Sequence, residues 1–231
     1  MTSSPSTSLQ KVLANALLLT RIHFDAFKLS PVAYLKAARW WLVRKRVRAR
    51  GQLAPLLSQS PKAYMLWGLR DEQENRSHSP RGQSPLIVAL VDIREESGVH
   101  EASLDATLQS LEAEGVTALL IGADFASDLA SAEASIDWNV EPWLMPVAAG
   151  DIFAPGAAAA YRSAITCEAL SLLYADDDQL DRWRRRTDPH FKPDWNSELF
   201  RHFDYLTGSC ILRGRQDSFR LASKTADWAP L

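Results

Sequence analysis

The first third of the chain has the residue spacing of amphipathic helices. Apolar residues from Leu9 to Phe24 fall on one stripe at helical periodicity. Ser30-Pro31 indicates the start of a second helix, because proline is favoured at the first helical position, and Gly51 is the expected end of that helix. A polar linker is expected before Pro85. The predicted helices and the linker span residues 9–27, 31–50, 62–73 and 74–84.

From Pro85 onwards the pattern changes to short, continuous apolar runs. Residues 86–93 (LIVALVDI) and 116–121 (VTALLI) are typical of strands buried on both faces. An amphipathic helix lies between them, and a strand–helix–strand unit predicts parallel strands. Residues 182–202 are polar and aromatic and are predicted to be irregular. The other predicted elements are helices over 100–114 and 156–168 and strands over 143–147, 170–174 and 206–213.

Composition places the chain among globular proteins. It has 231 residues, of which 46% are hydrophobic and 23% charged, enough to bury a core. Its two cysteines exclude a disulfide framework and a cysteine metal site. The charge-free stretch over 12–20 is too short to span a bilayer, and no cleavage site follows it. A cytoplasmic protein is expected, with a basic helical extension over 1–84 and an α/β domain over 85–231.

Charge is distributed unevenly along the chain. Residues 1–50 hold ten Lys and Arg and one acidic residue, a formal charge of +9, whereas the remainder carries −11. The basic helix contains Trp40 and Trp41, so one interpretation of residues 36–50 is a peripheral contact with anionic lipid on the inner face of a membrane. Alternatively, this helix packs on the α/β domain and keeps its basic face in solvent. Nucleic acid is not an expected partner, because no recognition motif is evident.

An acidic residue follows each of four predicted strands. Ligands of open parallel sheets bind at the carboxyl ends of the strands, so these carboxylates are expected along one edge. Carboxylates grouped without sulfur ligands favour Mg²⁺ or Mn²⁺, commonly together with substrate phosphates. Alternatively, these acids are helix caps and solvated turns. No Gly-x-Gly-x-x-Gly motif and no P-loop is present. The acids concerned are Asp92, Asp124, Asp151 and Asp176, Asp177 and Asp178.

Two motifs near the C-terminal end resemble family 2 glycosyltransferases. They are YADDD at 174–178 and FKPDWN at 191–196, at a separation typical of that family. More weakly, residues 149–157 (AGDIFAPGA) are similar to the segment that contains the family's Asp-x-Asp motif. Residues 121–124 (IGAD) are similar to the acidic end of its second strand. The resemblance covers residues 62–213, with its strongest motifs in the last quarter of the chain.

The resemblance implies a GT-A fold: a Rossmann-like α/β fold with a mostly parallel sheet and flanking helices, here after a helical N-terminal extension. It implies inverting transfer of a sugar from a nucleotide-sugar to a glycan or lipid-linked acceptor, in bacterial-type polysaccharide synthesis. Mg²⁺ or Mn²⁺ is the implied cofactor, offsetting charge on the leaving diphosphate. By position, Asp92 and Asp124 would contact the donor, Asp151 the donor and metal, and Asp176–Asp178 would be the catalytic candidates.

Departures from the family's pattern leave other interpretations open. Ala148 and Gly150 stand where the Asp-x-Asp motif has its acids, so Asp151 alone remains. Residues 214–231 do not match the region that supplies the family's catalytic base, so the chain looks truncated at its C-terminus. The alternative is a non-catalytic or truncated relative that binds a donor or a partner. A third interpretation is an unrelated Rossmann-like domain, favoured if Asp124 and Asp151 do not face a common cleft.

Overall fold

The computed structural model of the protein divides into two compact units. Residues 1–73 and 178–189 form one of them (the helical unit), and residues 74–177 and 190–231 form the other (the sheet unit). The predicted boundary before Pro85 borders residues outside the described ranges, so it stays a prediction. The described residues are 5–75, 85–94, 101–165, 170–225 and 228.

Four helices form most of the helical unit. The second begins at Pro31 directly after Ser30, as predicted. The first three helices contact one another, and each contributes a buried alanine: Ala26, Ala37 or Ala49. These small side chains allow the helices to pack closely. The helices are α1 (Pro5–Leu29), α2 (Pro31–Leu42), α3 (Arg46–Leu57) and α4 (Pro61–Asn75).

The basic helix predicted over 31–50 is two helices, and the prediction that it ends at Gly51 is wrong. The break comes earlier, where Arg44 adopts a left-handed φ of 59°. The Arg44 and Lys45 N–H groups donate to the carbonyl oxygens of Trp41 and Trp40, which is the Schellman arrangement that ends a helix. Gly51 lies inside α3, where a single glycine is tolerated at modest cost.

Large apolar side chains of the helical unit lie at its surface. Leu17 is exposed, although it belongs to the apolar stripe from which the first helix was predicted, and Val32, Leu35 and Trp41 of α2 are exposed as well. The charged residues of these helices therefore share the surface with apolar ones. Within the described parts of the chain, no helix is both long enough and apolar enough to cross a bilayer.

The prediction that residues 182–202 are irregular is wrong in part, because this segment contains a strand and a helix. Asp181 shapes the hairpin turn by accepting the N–H groups of Trp183 and Arg185, at 2.8 and 3.0 Å. Asn196 starts the helix by capping its first N–H groups. Most of the hairpin belongs to the helical unit. The elements are β5 (Asp177–Leu180), β6 (Arg186–His190) and α8 (Ser197–His202).

The sheet unit is built on a five-stranded sheet in the order β2-β1-β3-β7-β4. Strand β1 pairs in parallel with β2 and β3, and β7 pairs antiparallel with β3 and β4, so four strands share one direction. The predicted mostly parallel α/β fold after a helical extension is confirmed. The strands are β1 (Ile87–Asp92), β2 (Thr117–Ile121), β3 (Trp143–Ala148), β4 (Leu172–Tyr174) and β7 (Cys210–Arg213).

Strand β1 lies at the centre of the core because its side chains alternate between two apolar layers. Ile87 and Val91 face one layer, which includes Tyr161. Val88 and Leu90 face the other, which includes Phe219. Both layers are covered by helices, two of which, α6 and α9, were not predicted. The helices are α5 (Glu101–Ala113), α6 (Phe125–Ser135), α7 (Ala157–Ala164) and α9 (Gln216–Thr225), with a 3-10 helix over Trp138–Val140.

Candidate functional site

The carboxyl ends of β1, β2, β3 and β4 lie at the same edge of the sheet. The first three strands are parallel, and β4 shares their direction because β4 and β3 both run antiparallel to β7. The acidic residues at the ends of these strands or just after them therefore start from one edge, where open α/β sheets bind ligands. Their roles in binding and catalysis stay predictions, and the surroundings of each carboxylate differ.

A cleft of about 380 Å³ opens at this edge, and Asp92 and Asp151 both line it. The rest of its lining is mostly apolar, with side chains from β3, β4, β7 and the segment after α8. An apolar cleft of this size with a few polar groups is the usual form of a small-molecule site. Its wall also includes Phe200, Thr207, Cys210 and Trp228.

Asp92 is held by two neighbours. The Arg94 guanidinium lies 2.6 Å from Asp92 Oδ2, and the Trp228 indole N–H donates to the same oxygen at 3.1 Å. Burial alone would raise the pKa of Asp92, but the hydrogen bonds and charge of Arg94 and the bond from Trp228 lower it. Asp92 is thus an ionised carboxylate with its charge already balanced, which suits an orienting role better than a metal ligand.

Asp151 lies at the end of a tight turn that follows β3. The Asp151 N–H donates to the Ala148 carbonyl at 3.1 Å, and the Ala148 N–H donates to Asp151 Oδ2 at the same distance. Gly150 has a φ of +103°, which a residue with a side chain rarely adopts. Asp151 is therefore not an N-cap of α7, which begins after Gly156.

Desolvation in the cleft raises the pKa of Asp151, and the negative charge of Asp177 raises it further. The hydrogen bond from the Ala148 N–H opposes this rise only in part. The side chain keeps access to solvent. Asp151 is consequently a carboxylate with no positive partner among the described residues, and a bound cation would stabilise its ionised form.

Asp124 is a helix cap. Its Oδ1 accepts the Ser127 N–H at the start of α6, while Asp128 Oδ2 accepts the Gly122 N–H at 2.7 Å. Asp124 is not among the described residues that line the cleft with Asp151. Asp124 therefore matches the alternative interpretation, in which the acids at the strand ends are helix caps. That Asp124 and Asp151 do not line a common cleft is the outcome expected of an unrelated Rossmann-like domain.

Asp176 and Asp177 hold the segment that carries the FKPDWN motif. Asp176 Oδ1 accepts the Lys192 N–H at 2.8 Å. Asp177 Oδ2 lies 2.9 Å from the Lys192 ammonium group, and His190 Nδ1 lies 3.2 Å from Asp177 Oδ1. Burial would raise the pKa of Asp177, but hydrogen bonds from Lys192 and Ser209 outweigh it, so that the pKa is lowered. The YADDD and FKPDWN motifs are thus in contact with each other through Asp176, Asp177 and Lys192.

Asp178 has different partners, which belong to the helical unit. The Tyr64 hydroxyl and the Arg186 Nε–H both donate to Asp178 Oδ2. Burial first, and the hydrogen bond to Asp178 second, raise the pKa of Tyr64 to about 12. Tyr64 and Trp67 stack with ring centroids 5.3 Å apart, beneath the Arg186 guanidinium. Asp178 therefore joins Tyr64 of α4 to Arg186 of β6 within the helical unit.

Two residues of the site were missed by the sequence reasoning. Lys192 has only 1% of its side chain exposed, which is rare for lysine and is explained by Asp177 and the Ser209 hydroxyl. Trp228 donates to Asp92 and packs edge-on against Phe125. The spacing of YADDD and FKPDWN contained a signal for Lys192, whereas no local pattern marks Trp228.

The described residues contain no group of three His, Cys, Asp or Glu side chains arranged to hold a metal ion. Mg²⁺ is commonly held by one or two carboxylates together with substrate phosphates and water. Asp151 fits that arrangement as a single carboxylate, whereas Asp92 and Asp177 are already engaged with cations. The donor set fits a metal that arrives with a diphosphate rather than one held by protein ligands alone.

Comparison with known proteins finds a similarity over a short segment of the chain. Over 44 residues it is 46% identical to the O-antigen biosynthesis protein RfbC of Myxococcus xanthus. This match covers 19% of the chain and only 4% of that protein. No protein-family model matches the chain. No solved structure matches it either.

Proposed function

We propose that the sheet unit binds the nucleotide-sugar donor of a glycosyltransferase of the family 2 type with a GT-A fold. The observation that carries the proposal is the cleft that Asp92 and Asp151 line at the carboxyl edge of the sheet. The local similarity to an O-antigen biosynthesis protein supports polysaccharide synthesis as the setting. A glycan or a lipid-linked glycan is the acceptor that this setting implies.

In this proposal the apolar wall of the cleft receives the nucleoside, and the carboxylates face its polar parts. Trp228 and Phe200 offer ring surfaces along this wall. Asp92, held by Arg94, hydrogen-bonds the ribose or base. Asp151 holds Mg²⁺ or Mn²⁺ together with the diphosphate. When bound, the cation offsets the negative charge that builds on the leaving diphosphate.

The acidic run supports the site without supplying the base. Asp177 has a lowered pKa and an ion pair with Lys192, so it accepts a proton poorly. Asp178 already accepts from Tyr64 and Arg186. Asp176 accepts a backbone N–H. We assign Asp176 and Asp177 to holding the segment with Lys192, and Asp178 to holding Tyr64 and Arg186 within the helical unit. The catalytic base is left unassigned.

Calorimetric titration of UDP and GDP, each with and without Mn²⁺, tests the donor site. We expect the unaltered protein to bind one nucleotide with a clear dependence on Mn²⁺. Asp151→Asn should weaken that binding at least tenfold, because the amide can still accept the Ala148 N–H but cannot balance a cation. The matched control is Asp105→Asn, which removes an exposed carboxylate of α5 outside the cleft and should leave binding unchanged.

Each outcome of this titration has a definite meaning. Failure of both nucleotides to bind with any divalent metal would overturn the donor site. Binding that is equal in Asp151→Asn and in Asp105→Asn would keep a nucleotide site but remove Asp151 from it. Release of UDP or GDP from a bound nucleotide-sugar would separate an enzyme from a protein that only binds.

A second candidate function is donor binding without catalysis. The turn before Asp151 favours it, because Gly150 takes a left-handed φ at the place where the Asp-x-Asp motif has an acid. A carboxylate restored there would strain the turn. If nucleotide-sugars bind at Asp151 and are never turned over with lipid-linked or free glycan acceptors, this candidate replaces the first.

Peripheral contact of residues 36–50 with anionic lipid belongs to the same proposal. Lys45 and Arg48 lie over the ring of Trp40, whereas Trp41 is exposed. An exposed tryptophan among cations is the arrangement expected of a helix at a membrane surface. Such a contact would bring a donor site close to lipid-linked acceptors.

A further inference from the structure

A cavity in the helical unit combines an apolar wall with arginine side chains. It has a volume of about 460 Å³ and lies among α1, α4 and the turn of the hairpin. Leu17 and Leu18 of α1 and Met65 of α4 belong to its apolar wall. Its charged lining consists of Arg21, Arg184, Arg185 and Arg186. None of these side chains lines the donor cleft.

Acidic partners satisfy only half of these arginines. Asp181 lies 2.6 Å from Arg185, and Asp178 accepts from Arg186. Among the described residues, no acidic side chain pairs with Arg21 or Arg184. Two guanidinium groups beside an apolar wall leave a positive charge that a phosphate group can balance, because guanidinium geometry matches phosphate oxygens.

The hairpin turn holds Arg184 in a left-handed conformation. Its φ is 58°, a region that glycine and asparagine prefer. The Asp181 side chain fixes the turn through the N–H groups of Trp183 and Arg185, and the Arg184 N–H donates to the Asp181 carbonyl at 2.7 Å. Glycine at this position would keep the turn without strain, which makes Arg184→Gly a variant that should still fold.

The same turn presents a tryptophan to solvent. Trp183 is 58% exposed, and the guanidinium groups of Arg182 and Arg185 lie 3.8 and 4.5 Å from its ring centroid. A tryptophan surrounded by cations suits the boundary between lipid headgroups and acyl chains. The whole helical unit also holds 16 Lys and Arg against six acidic residues, whereas the sheet unit carries a formal charge of −12.

The geometry points to a binding site for the phosphate headgroup of an anionic phospholipid. Arg21 and Arg184 bind the phosphate, and the leucine wall of α1 receives the first carbons of the lipid. Trp183 lies at the level of the headgroups. The lipid is favoured over free phosphate because the cavity wall and the exposed Leu17 are apolar. This site is separate from residues 36–50 and does not depend on the proposed donor site.

Vesicle flotation tests this site with the full chain. The vesicles contain either phosphatidylcholine alone or phosphatidylcholine with one third phosphatidylglycerol. We expect binding to the anionic vesicles only, weakened by salt. Arg184→Gly and Arg21→Gln should each reduce binding about tenfold. The matched control, Arg70→Gln, also removes one charge from the helical unit but lies outside the cavity, and should reduce binding less than threefold.

The apolar wall has its own pair of variants. Leu17→Gln should reduce binding about threefold to fivefold, whereas Leu13→Gln, an exposed leucine of the same helix outside the cavity lining, should leave it nearly unchanged. Circular dichroism confirms that each variant is folded. The proposal is overturned if Arg70→Gln weakens binding as much as Arg184→Gly, or if neutral vesicles bind equally. Millimolar inorganic phosphate that abolishes vesicle binding would instead assign the cavity to free phosphate.

Discussion

The two units of the chain use their apolar residues in opposite ways. In the sheet unit β1 is buried on both faces, and Leu90 has 1% of its surface exposed. In the helical unit leucines of α1 and α2 lie at the surface, and Leu35 is 59% exposed. The units also differ in charge, since the helical unit is strongly basic and the sheet unit acidic. The difference indicates that one unit owes its stability to a core, and that the other offers a mixed apolar and basic surface for contacts.

The largest effect should come from removing a leucine in the sheet unit. Leu90→Ala leaves a cavity between β1 and the helices α6 and α9 and should lower the free energy of unfolding by about 2–5 kcal/mol. Leu35→Ala removes the same atoms from an exposed position and should change it by less than about 0.5 kcal/mol. Urea denaturation followed by circular dichroism measures both. Equal losses would contradict the comparison.

The buried ion pair of the sheet unit should give the next largest effect. Asp177→Asn leaves the Lys192 ammonium group without its counter-charge. We expect a loss of about 1–3 kcal/mol, below the range for fully buried pairs because Asp177 is itself partly exposed. Glu198→Gln breaks the exposed pair with Arg201 and should cost less than about 0.5 kcal/mol. Thermal denaturation at neutral pH compares the two variants.

The loss in Asp177→Asn should depend on pH. Because the folded pKa of Asp177 is lowered, its carboxylate stabilises the fold above the unfolded value near ~4. That contribution disappears as the pH falls through the folded pKa. The stabilities of the unaltered protein and Asp177→Asn should therefore converge in acid. A difference that stayed constant down to the acid transition would show that the ion pair is not its source.

A glycine-to-alanine substitution can be compared between the two units, at Gly214 of the sheet unit and Gly51 of the helical unit. Gly214→Ala should cost about 1–3 kcal/mol, because the new Cβ would lie 2.8 Å from the Pro142 carbonyl oxygen. Gly51→Ala should raise stability by about 0.5–1 kcal/mol, because α3 has open space around that position and alanine favours helix. Denaturation midpoints of the two variants should move in opposite directions. A stability loss at Gly51 would mean that its surroundings are closed by another contact.

The smallest change in stability is expected at Asp151, where removing the charge should stabilise the fold, whereas removing the charge of Asp177 should destabilise it. Its folded pKa is raised, so at neutral pH the ionised carboxylate opposes folding, and this opposition fades as the pH falls through the folded pKa. Asp151→Asn should therefore raise stability at neutral pH by no more than about 0.5 kcal/mol, because solvent screens the exposed side chain, while it weakens nucleotide binding. Thermal denaturation at neutral and mildly acidic pH measures the change. A variant less stable at neutral pH would show that the carboxylate has a structural partner.

The continuous apolar run at 86–93 was the most predictable part of the fold. The run at 116–121 also forms a strand, but the prediction that it is buried on both faces is wrong, because β2 lies at the edge of the sheet and Leu120 is 44% exposed. Residues 86–93 predicted β1 to within one residue at each end, because a strand buried on both faces needs no polar position. Short strands with exposed charges were not predictable. Strand β6 contains Arg186 and His190, and its pairing depends on the Asp181 side chain in the turn. Such bonds between side chain and backbone leave no periodic pattern.

The candidate site was predictable only as a set of positions along one edge. The order of strands and acids placed Asp92 and Asp151 at the carboxyl edge, and topology suffices for that. It does not say that Arg94 holds Asp92, that Asp124 caps α6, or that Asp178 belongs with Tyr64. These differences arise from which neighbours each side chain reaches, and neighbours distant in sequence have no local signal.

Cys210 gives the sheet unit a reporter of its own opening. Its thiol is buried in β7, between β3 and β4. Burial raises its pKa to about 11, so almost no reactive thiolate exists at neutral pH while the strands are paired. In a Cys167→Ser background, the rate of alkylation by iodoacetamide would therefore follow the separation of β7 from its neighbours. A ligand that fills the cleft beside Cys210 should slow this alkylation. The alkylation rate would therefore report ligand binding without an engineered probe.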